Sequence, residues 1–70
     1  MKFDHGKAKL LVEAAPLKRS YLASQCGIQT STLTRYLNGH SDPSKAVVIL
    51  MAQFLKVPEE TLWAQLDKAS

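Results

Sequence analysis

The chain has 70 residues, 46% of them hydrophobic, and a formal net charge of +3 at neutral pH, which predicts one small domain over residues 1–70. Its single cysteine, Cys26, excludes an internal disulfide and indicates a reducing compartment, which together with the polar N-terminus predicts a cytoplasmic protein. The longest apolar run, residues 46–52, is far shorter than the ~20 residues that cross a bilayer, so no transmembrane segment is expected.

Three helical segments are predicted in the first half of the chain. The first covers about residues 4–15, where apolar side chains recur at helical spacing until Pro16 stops the helix. The second covers about residues 18–25 and ends before Gly27, because glycine accepts the left-handed backbone conformation that a sharp turn needs. The third covers about residues 29–38 and is followed by another glycine.

Two further helices are predicted in the second half of the chain. The fourth covers about residues 43–55, with Asp42 as its N-cap and Pro43 at its first helical position. Its apolar run could also form a strand, but the length of the whole segment favours a helix. The fifth covers about residues 58–68, and two glutamates lie in its first turn, where the helix dipole favours them. These segments together predict an all-α domain of five helices.

The third segment is expected to present an outer face without acidic residues. Ile28, Leu33 and either Tyr36 or Leu37 would hold it on the core, and the polar residues left outside are Thr30, Ser31, Thr34, Arg35 and Asn38. Such a face suits an approach to phosphates and base edges, which would repel a carboxylate. The alternative is an ordinary solvated face, in which Arg35 is solvated or pairs with Asp42.

Positive charge is concentrated in the part of the chain that holds these first three segments. Residues 1–45 carry a net charge of +4, whereas residues 46–70 carry −1. The net charge of the whole chain is weak evidence for a nucleic-acid partner, but its uneven distribution is more informative. We therefore expect a polyanion site in the first part of the chain.

The stretch LASQCGIQTSTLTRYLNGHSDPS, residues 22–44, resembles the helix-turn-helix of the phage Cro and repressor family and its bacterial relatives. The residues at the shared positions are Leu22, Ala23, Gly27, Ile28, Leu33, Gly39 and Pro43. The later segment AQFLKVPEETLW is similar to the closing pattern of the family, so the resemblance covers about residues 8–66. It implies a compact five-helix, lambda-repressor-like domain in the bacterial cytoplasm or nucleoid, with a helix-turn-helix formed by the second and third helices.

The resemblance also implies roles for individual polar residues. The residues expected to contact bases are Gln29, Thr30, Ser31, Thr34 and Arg35, and those expected to contact phosphates are Arg19, Asn38, His40 and Lys45. A bidentate pair between Arg35 and guanine would supply about 1–3 kcal/mol of base discrimination. The implied function is a sequence-specific, double-stranded DNA-binding transcriptional regulator, a Cro-like or minimal repressor. Arg19 and Tyr36 depart from the family pattern, which usually has glutamine and an aliphatic residue there.

One short helix reads too few base pairs for useful specificity, so the resemblance implies a homodimer on a palindromic operator, formed in solution or only on DNA. The fourth segment has more apolar residues than one buried face requires, and the fifth carries a neighbouring apolar stripe. Because exposed apolar clusters often mark protein contacts, we expect Phe54, Trp63 and Leu66 at the dimer interface. The alternative is that Phe54 and Trp63 simply close the core.

Other function classes have less support in the sequence. A protein-interaction module or an antitoxin on the same fold, with weak or no DNA binding, is the second interpretation. His5 and His40 have no partner at metal-ligand spacing, and Cys26 is expected as a small buried core residue. The adjacent Glu59 and Glu60 point to different helix faces and no phosphate-binding loop is present, so we expect neither an enzyme nor a metal or cofactor.

Overall fold

The computed structural model describes residues 2–64, which form four α-helices and one short 3-10 helix. The elements are α1 (His5–Ala14), α2 (Arg19–Gln25), α3 (Thr30–Leu37), α4 (Lys45–Leu55) and the 3-10 helix (Glu59–Leu62). Within this range the backbone pairs as a β-bridge between Phe3 and Trp63, and it forms no strand. The all-α prediction is therefore confirmed for the described residues. Each helix among them is too short or too polar to cross a membrane.

The first three helices lie within a residue or two of their predicted bounds. Asp4 caps α1, because its Oδ1 accepts a hydrogen bond from the backbone N–H of Lys7 at 3.0 Å. After α1 the backbone is extended at Ala15, which precedes Pro16. Gly27 and Gly39 follow α2 and α3 with φ of 74° and 83°, in the left-handed region that glycine adopts without strain.

The start of α4 differs from the prediction. Its N-cap is Ser44, whose Oγ accepts from the N–H of Val47 at 3.3 Å, and not Asp42. Pro43 is buried ahead of the helix and does not occupy its first turn. The Asp42 carboxylate instead lies 2.9 Å from Nε2 of His5. Asp42 therefore pairs with His5, which is distant in sequence, and its carboxylate does not cap α4 as the local pattern predicted.

The predicted fifth α-helix is wrong within the described range. The chain makes one 3-10 turn and then becomes extended at Trp63, with φ −98° and ψ 138°. The backbone N–H of Asp4 donates to the carbonyl of Leu62 at 2.8 Å, and Ala64 donates to Lys2 at 2.6 Å. Pairing with the N-terminal segment therefore replaces the hydrogen bonds that would continue a helix. The remainder of the predicted helix, residues 65–68, lies outside the described residues.

Every helix contributes to a single core. The largest fully buried side chains among the described residues are Leu22, Leu33, Leu37, Met51, Leu62 and Val48. On α4, Val48, Met51 and Ala52 face the core, whereas Leu55 is only partly buried. On α3 the core position belongs to Leu37, and Tyr36 is half-buried beside it. This arrangement fixes which face of α3 points outward.

Candidate nucleic-acid interface

The turn between α2 and α3 is tightly built. Ala23 is buried, and its carbonyl accepts from the backbone N–H of Ile28 at 3.0 Å, which closes the turn around Gly27. A small residue at position 23 lets the two helices approach closely. Leu33 then anchors the middle of α3 in the core. These contacts hold α3 rigidly on the surface of the domain.

The outer face of α3 is exposed where the sequence predicts base-contacting residues. Its exposed members are Gln29, Thr30, Ser31 and Arg35, whereas Thr34 is half-buried. Gln29 is the N-cap residue, but its side chain makes no capping hydrogen bond and so remains available to a ligand. The first turn of α3 contains no acidic residue, so the partial positive charge of the helix N-terminus is not neutralised locally.

Thr34 is half-buried because Arg19 lies against it. Nη1 of Arg19 is 3.5 Å from Oγ1 of Thr34, and Nη2 is 3.6 Å from Oε2 of Glu13 at the end of α1. Arg19 thus connects the first, second and third helices, and one of the predicted phosphate contacts touches one of the predicted base contacts. Glu13 was not among the predicted site residues, because it lies in a different predicted helix from Arg19 and no helical spacing relates the two.

The three remaining phosphate candidates lie after α3. Asn38, His40 and Lys45 are all exposed. The backbone N–H of Asn38 donates to Thr34 and that of His40 to Arg35, both at 2.9 Å, so the turn after α3 is ordered by its own backbone. The three side chains therefore project from a defined turn and from the first residue of α4.

His5 ties this turn to the start of α1. Its Nδ1 lies within hydrogen-bond distance of the Tyr36 carbonyl, and its Nε2 pairs with Asp42. The ring also meets Phe3 edge to face, with centroids 5.1 Å apart. Asp42 therefore pairs with His5 and not with Arg35, which leaves the Arg35 guanidinium exposed. This role of His5 was not predicted, because its partners Tyr36 and Asp42 are distant from it in sequence.

The residues predicted for a dimer interface have partners inside the domain. Phe54 is half-buried and meets Tyr21 edge to face at 6.3 Å, while Nε1 of the half-buried Trp63 donates to Glu59 at 2.9 Å. Both rings pack against the core. Leu66 lies outside the described residues. Among residues 2–64, the large apolar side chains most exposed to solvent are instead Leu10, at 68%, and Tyr21, at 47%.

Cys26 is a buried free thiol between α2 and the turn. Desolvation by burial raises its pKa above the ordinary value for a thiol, so the neutral form is favoured. The described residues also contain no cluster of three or more side chains that could hold a metal ion.

Comparison with known proteins agrees with this geometry. A family model described as helix-turn-helix matches residues 9–62, which include all four α-helices except the first turn of α1. No curated protein and no solved structure shows significant similarity to the chain. The match extends over far more than half of the sequence, and the turn around Gly27 lies within it. The chain therefore belongs to the helix-turn-helix family.

Proposed function

We propose that this protein is a sequence-specific transcriptional regulator that binds duplex DNA and inserts α3 into the major groove. The observation that carries the proposal is the exposed, acid-free outer face of α3, fixed by the buried Leu33 and Leu37. A helix of this size fits the major groove, where each base pair offers a distinct pattern of donors and acceptors. Family membership supports the same conclusion.

Base contacts are proposed for the first turns of α3. Gln29, Thr30 and Ser31 are exposed at its N-terminal end, and Arg35 is exposed in its last turn. Arg35 has no acidic partner among the described residues, so its fork of donors is free for O6 and N7 of guanine. Thr34 is proposed as a further base contact beside Arg19, whose Nη1 lies 3.5 Å from its Oγ1.

Phosphate contacts are proposed for residues on either side of α3. Arg19 lies at the first residue of α2, while Asn38, His40 and Lys45 follow α3. Positive and hydrogen-bonding groups beside a recognition helix and after its C-terminal end would fix its register without reading the sequence. These contacts would make the affinity fall as salt concentration rises, because each one releases counterions from the DNA.

A homodimer on a palindromic operator completes the proposal. The interface is proposed around Phe54, Trp63 and Leu66, in a Cro-like or minimal repressor without a cofactor. Trp63 and Phe54 are only half-buried, so each retains surface for a partner chain while packing against the core. Pairing would place two copies of α3 about one DNA turn apart, ~34 Å, and double the length of sequence read.

A protein-interaction module or antitoxin is the second candidate, and the exposure of Leu10 favours it. At 68% exposure, Leu10 is a large apolar side chain on α1 that the core does not use. An isolated exposed leucine is common on protein surfaces, so it is weak evidence for a partner. We therefore rank DNA binding first.

Selection of bound duplexes from a random pool tests the proposal directly. We expect recovery of a short motif with approximate twofold symmetry, bound with an affinity that falls steeply with salt. A pool that yields no common motif, together with salt-independent or absent duplex binding, would favour the interaction module. A motif without symmetry would leave groove reading intact and contradict the dimer.

A further inference from the structure

The Arg19 guanidinium lies between three helices without a strong partner. Its distances to Thr34 Oγ1 and Glu13 Oε2 are 3.5 and 3.6 Å. Charge-assisted hydrogen bonds are usually about 2.7–2.9 Å long, so both contacts are loose. The guanidinium carries five N–H donors, and the side chain is 33% exposed. The guanidinium is therefore accessible to a second anion, which would share Nη2 with Glu13.

Glu13 stands where an acidic residue is unfavourable for the fold. It is the penultimate residue of α1, where the helix dipole disfavours a negative charge. Among the other acids, Asp4 caps α1, Asp42 pairs with His5, and Glu59 accepts from Trp63. In the described part of the chain the polar contact of Glu13 is the loose one to Arg19. The dipole of α1 therefore gives this carboxylate no stabilisation.

We infer that Glu13 is an internal competitor of the DNA backbone for Arg19. A carboxylate and a phosphate both present two oxygens to a guanidinium fork, so either can satisfy it. In the free protein Glu13 occupies Nη2, and on binding a phosphate replaces Glu13 while Nη1 stays against Thr34. The inference rests on the proposed function, and it makes Glu13 a residue that lowers affinity for every duplex without changing base preference.

The test is a double-substitution cycle on one selected duplex and one unrelated duplex. Glu13→Gln should raise the affinity for both duplexes about two- to fivefold, the range for a partly exposed ion pair. In the Arg19→Ala background the same substitution should have no effect, because the competition has been removed. Glu60→Gln makes the same change of net charge at an exposed residue of the 3-10 helix and should have a smaller effect.

Melting curves and the control variants make each outcome decisive. Glu13→Gln should fold with a nearly unchanged Tm, because relief of the unfavourable interaction with the helix dipole offsets the loss of the pair with Arg19. An equal gain in the Arg19→Ala background, or an equal gain from Glu60→Gln, would overturn the inference in favour of a general charge effect. A wild-type chain that binds duplexes with no response to Glu13→Gln would overturn the inference alone. Absence of duplex binding by the wild-type chain would overturn the proposed function and the inference together.

Discussion

At the scale of single residues, the end of α4 contains a lysine in a conformation that favours glycine. Lys56 has φ 61° and ψ 41°, and its backbone N–H donates to the carbonyl of Gln53 at 3.2 Å. A side chain in the left-handed region costs about 1–2 kcal/mol because Cβ approaches the following carbonyl. The same backbone conformation turns the chain so that the N–H of Val57 donates to the carbonyl of Ala52.

Replacing Lys56 with glycine should therefore stabilise the domain. Relief of strain exceeds the extra entropy of the unfolded glycine chain, so we expect a gain of up to about 1 kcal/mol. Thermal melting should show a rise in Tm of about 4–8 °C per kcal/mol for a domain of this size. Lys56→Ala removes the same side-chain charge but keeps Cβ, so it should give no such rise. Equal melting temperatures for the two variants would show that the left-handed conformation of Lys56 is not strained.

The buried thiol of Cys26 should make stability depend on alkaline pH. Burial raises the thiol pKa in the folded state, whereas the unfolded thiol titrates near its ordinary value of about 8.5. Above that pH the unfolded state holds fewer protons than the folded state, so the free energy of unfolding falls as pH rises. The Tm advantage of wild type over Cys26→Ala, measured with a reductant, should shrink from pH 7 to pH 10. A constant Tm difference over that range would show that burial does not raise the pKa of the Cys26 thiol.

At the scale of elements, the helix-turn-helix depends on the backbone conformation of one glycine. Gly27 has φ 74°, and a Cβ built on it would meet no atom within 4 Å, so a side chain there would suffer conformational strain without a clash. Gly6, inside α1, has no positive φ, and its Cβ would meet Asp4 only at 3.9 Å. The same substitution should therefore have opposite effects at the two positions.

Gly27→Ala should destabilise the domain by about 1 kcal/mol, and Gly27→Val by more. Gly6→Ala should instead stabilise it by about 0.5–1 kcal/mol, because alanine is the better helix former. Melting of the two alanine variants beside wild type measures both effects. A similar shift in the same direction for both variants would mean that the backbone at Gly27 is not strained by a side chain.

The elements that the sequence predicts well are those determined by local backbone requirements. Pro16, Gly27 and Gly39 end the first three helices through their own conformational preferences, so the pattern was sufficient to place them. The N-cap of α4 was wrong because His5 competes for Asp42 across the fold. The fifth helix was wrong because Leu62 pairs with the N-terminal segment. Contacts between distant residues leave no periodic signal in a single sequence.

In the candidate site, too, features set by local pattern were predictable and contacts between distant residues were not. The exposed positions along α3 were predictable from the spacing of Leu33 and Leu37, which sets the outward face. The partners of its side chains were not, because the contact of Arg19 with Thr34 and Glu13 depends on how three helices meet. The roles of these residues toward DNA remain predictions.

At the scale of the whole molecule, the two ends of the described chain close the core together. Phe3 is buried and forms an antiparallel bridge with Trp63, flanked by the backbone hydrogen bonds of Asp4 and Ala64. Trp63 is therefore held on the surface of the domain by backbone pairing on one side and by Glu59 on the other. This rigid placement suits a residue that contacts a second copy of the chain.

We expect two chains per selected duplex, measured by sedimentation with and without DNA. Leu66→Ala should reduce the occupancy of the second chain, because it truncates an apolar side chain of the predicted interface. Leu10→Ser changes an exposed leucine outside that interface and should leave the stoichiometry unchanged. One chain per duplex for the wild type would contradict the dimer. Loss of the second chain only in Leu10→Ser would indicate that the dimer interface lies on α1.

The proposed function is tested most directly by measuring whether Arg35 discriminates between base pairs. The preferred sequence and its affinity are determined for wild type, for Arg35→Ala, and for Lys9→Ala, which removes one positive charge from an exposed position on α1. Arg35→Ala should lose about 1–3 kcal/mol of discrimination at one base pair in each half-site and keep the others. Lys9→Ala should keep the whole preference. If Arg35→Ala selects the wild-type sequence with wild-type affinity, α3 does not read DNA in the way proposed here.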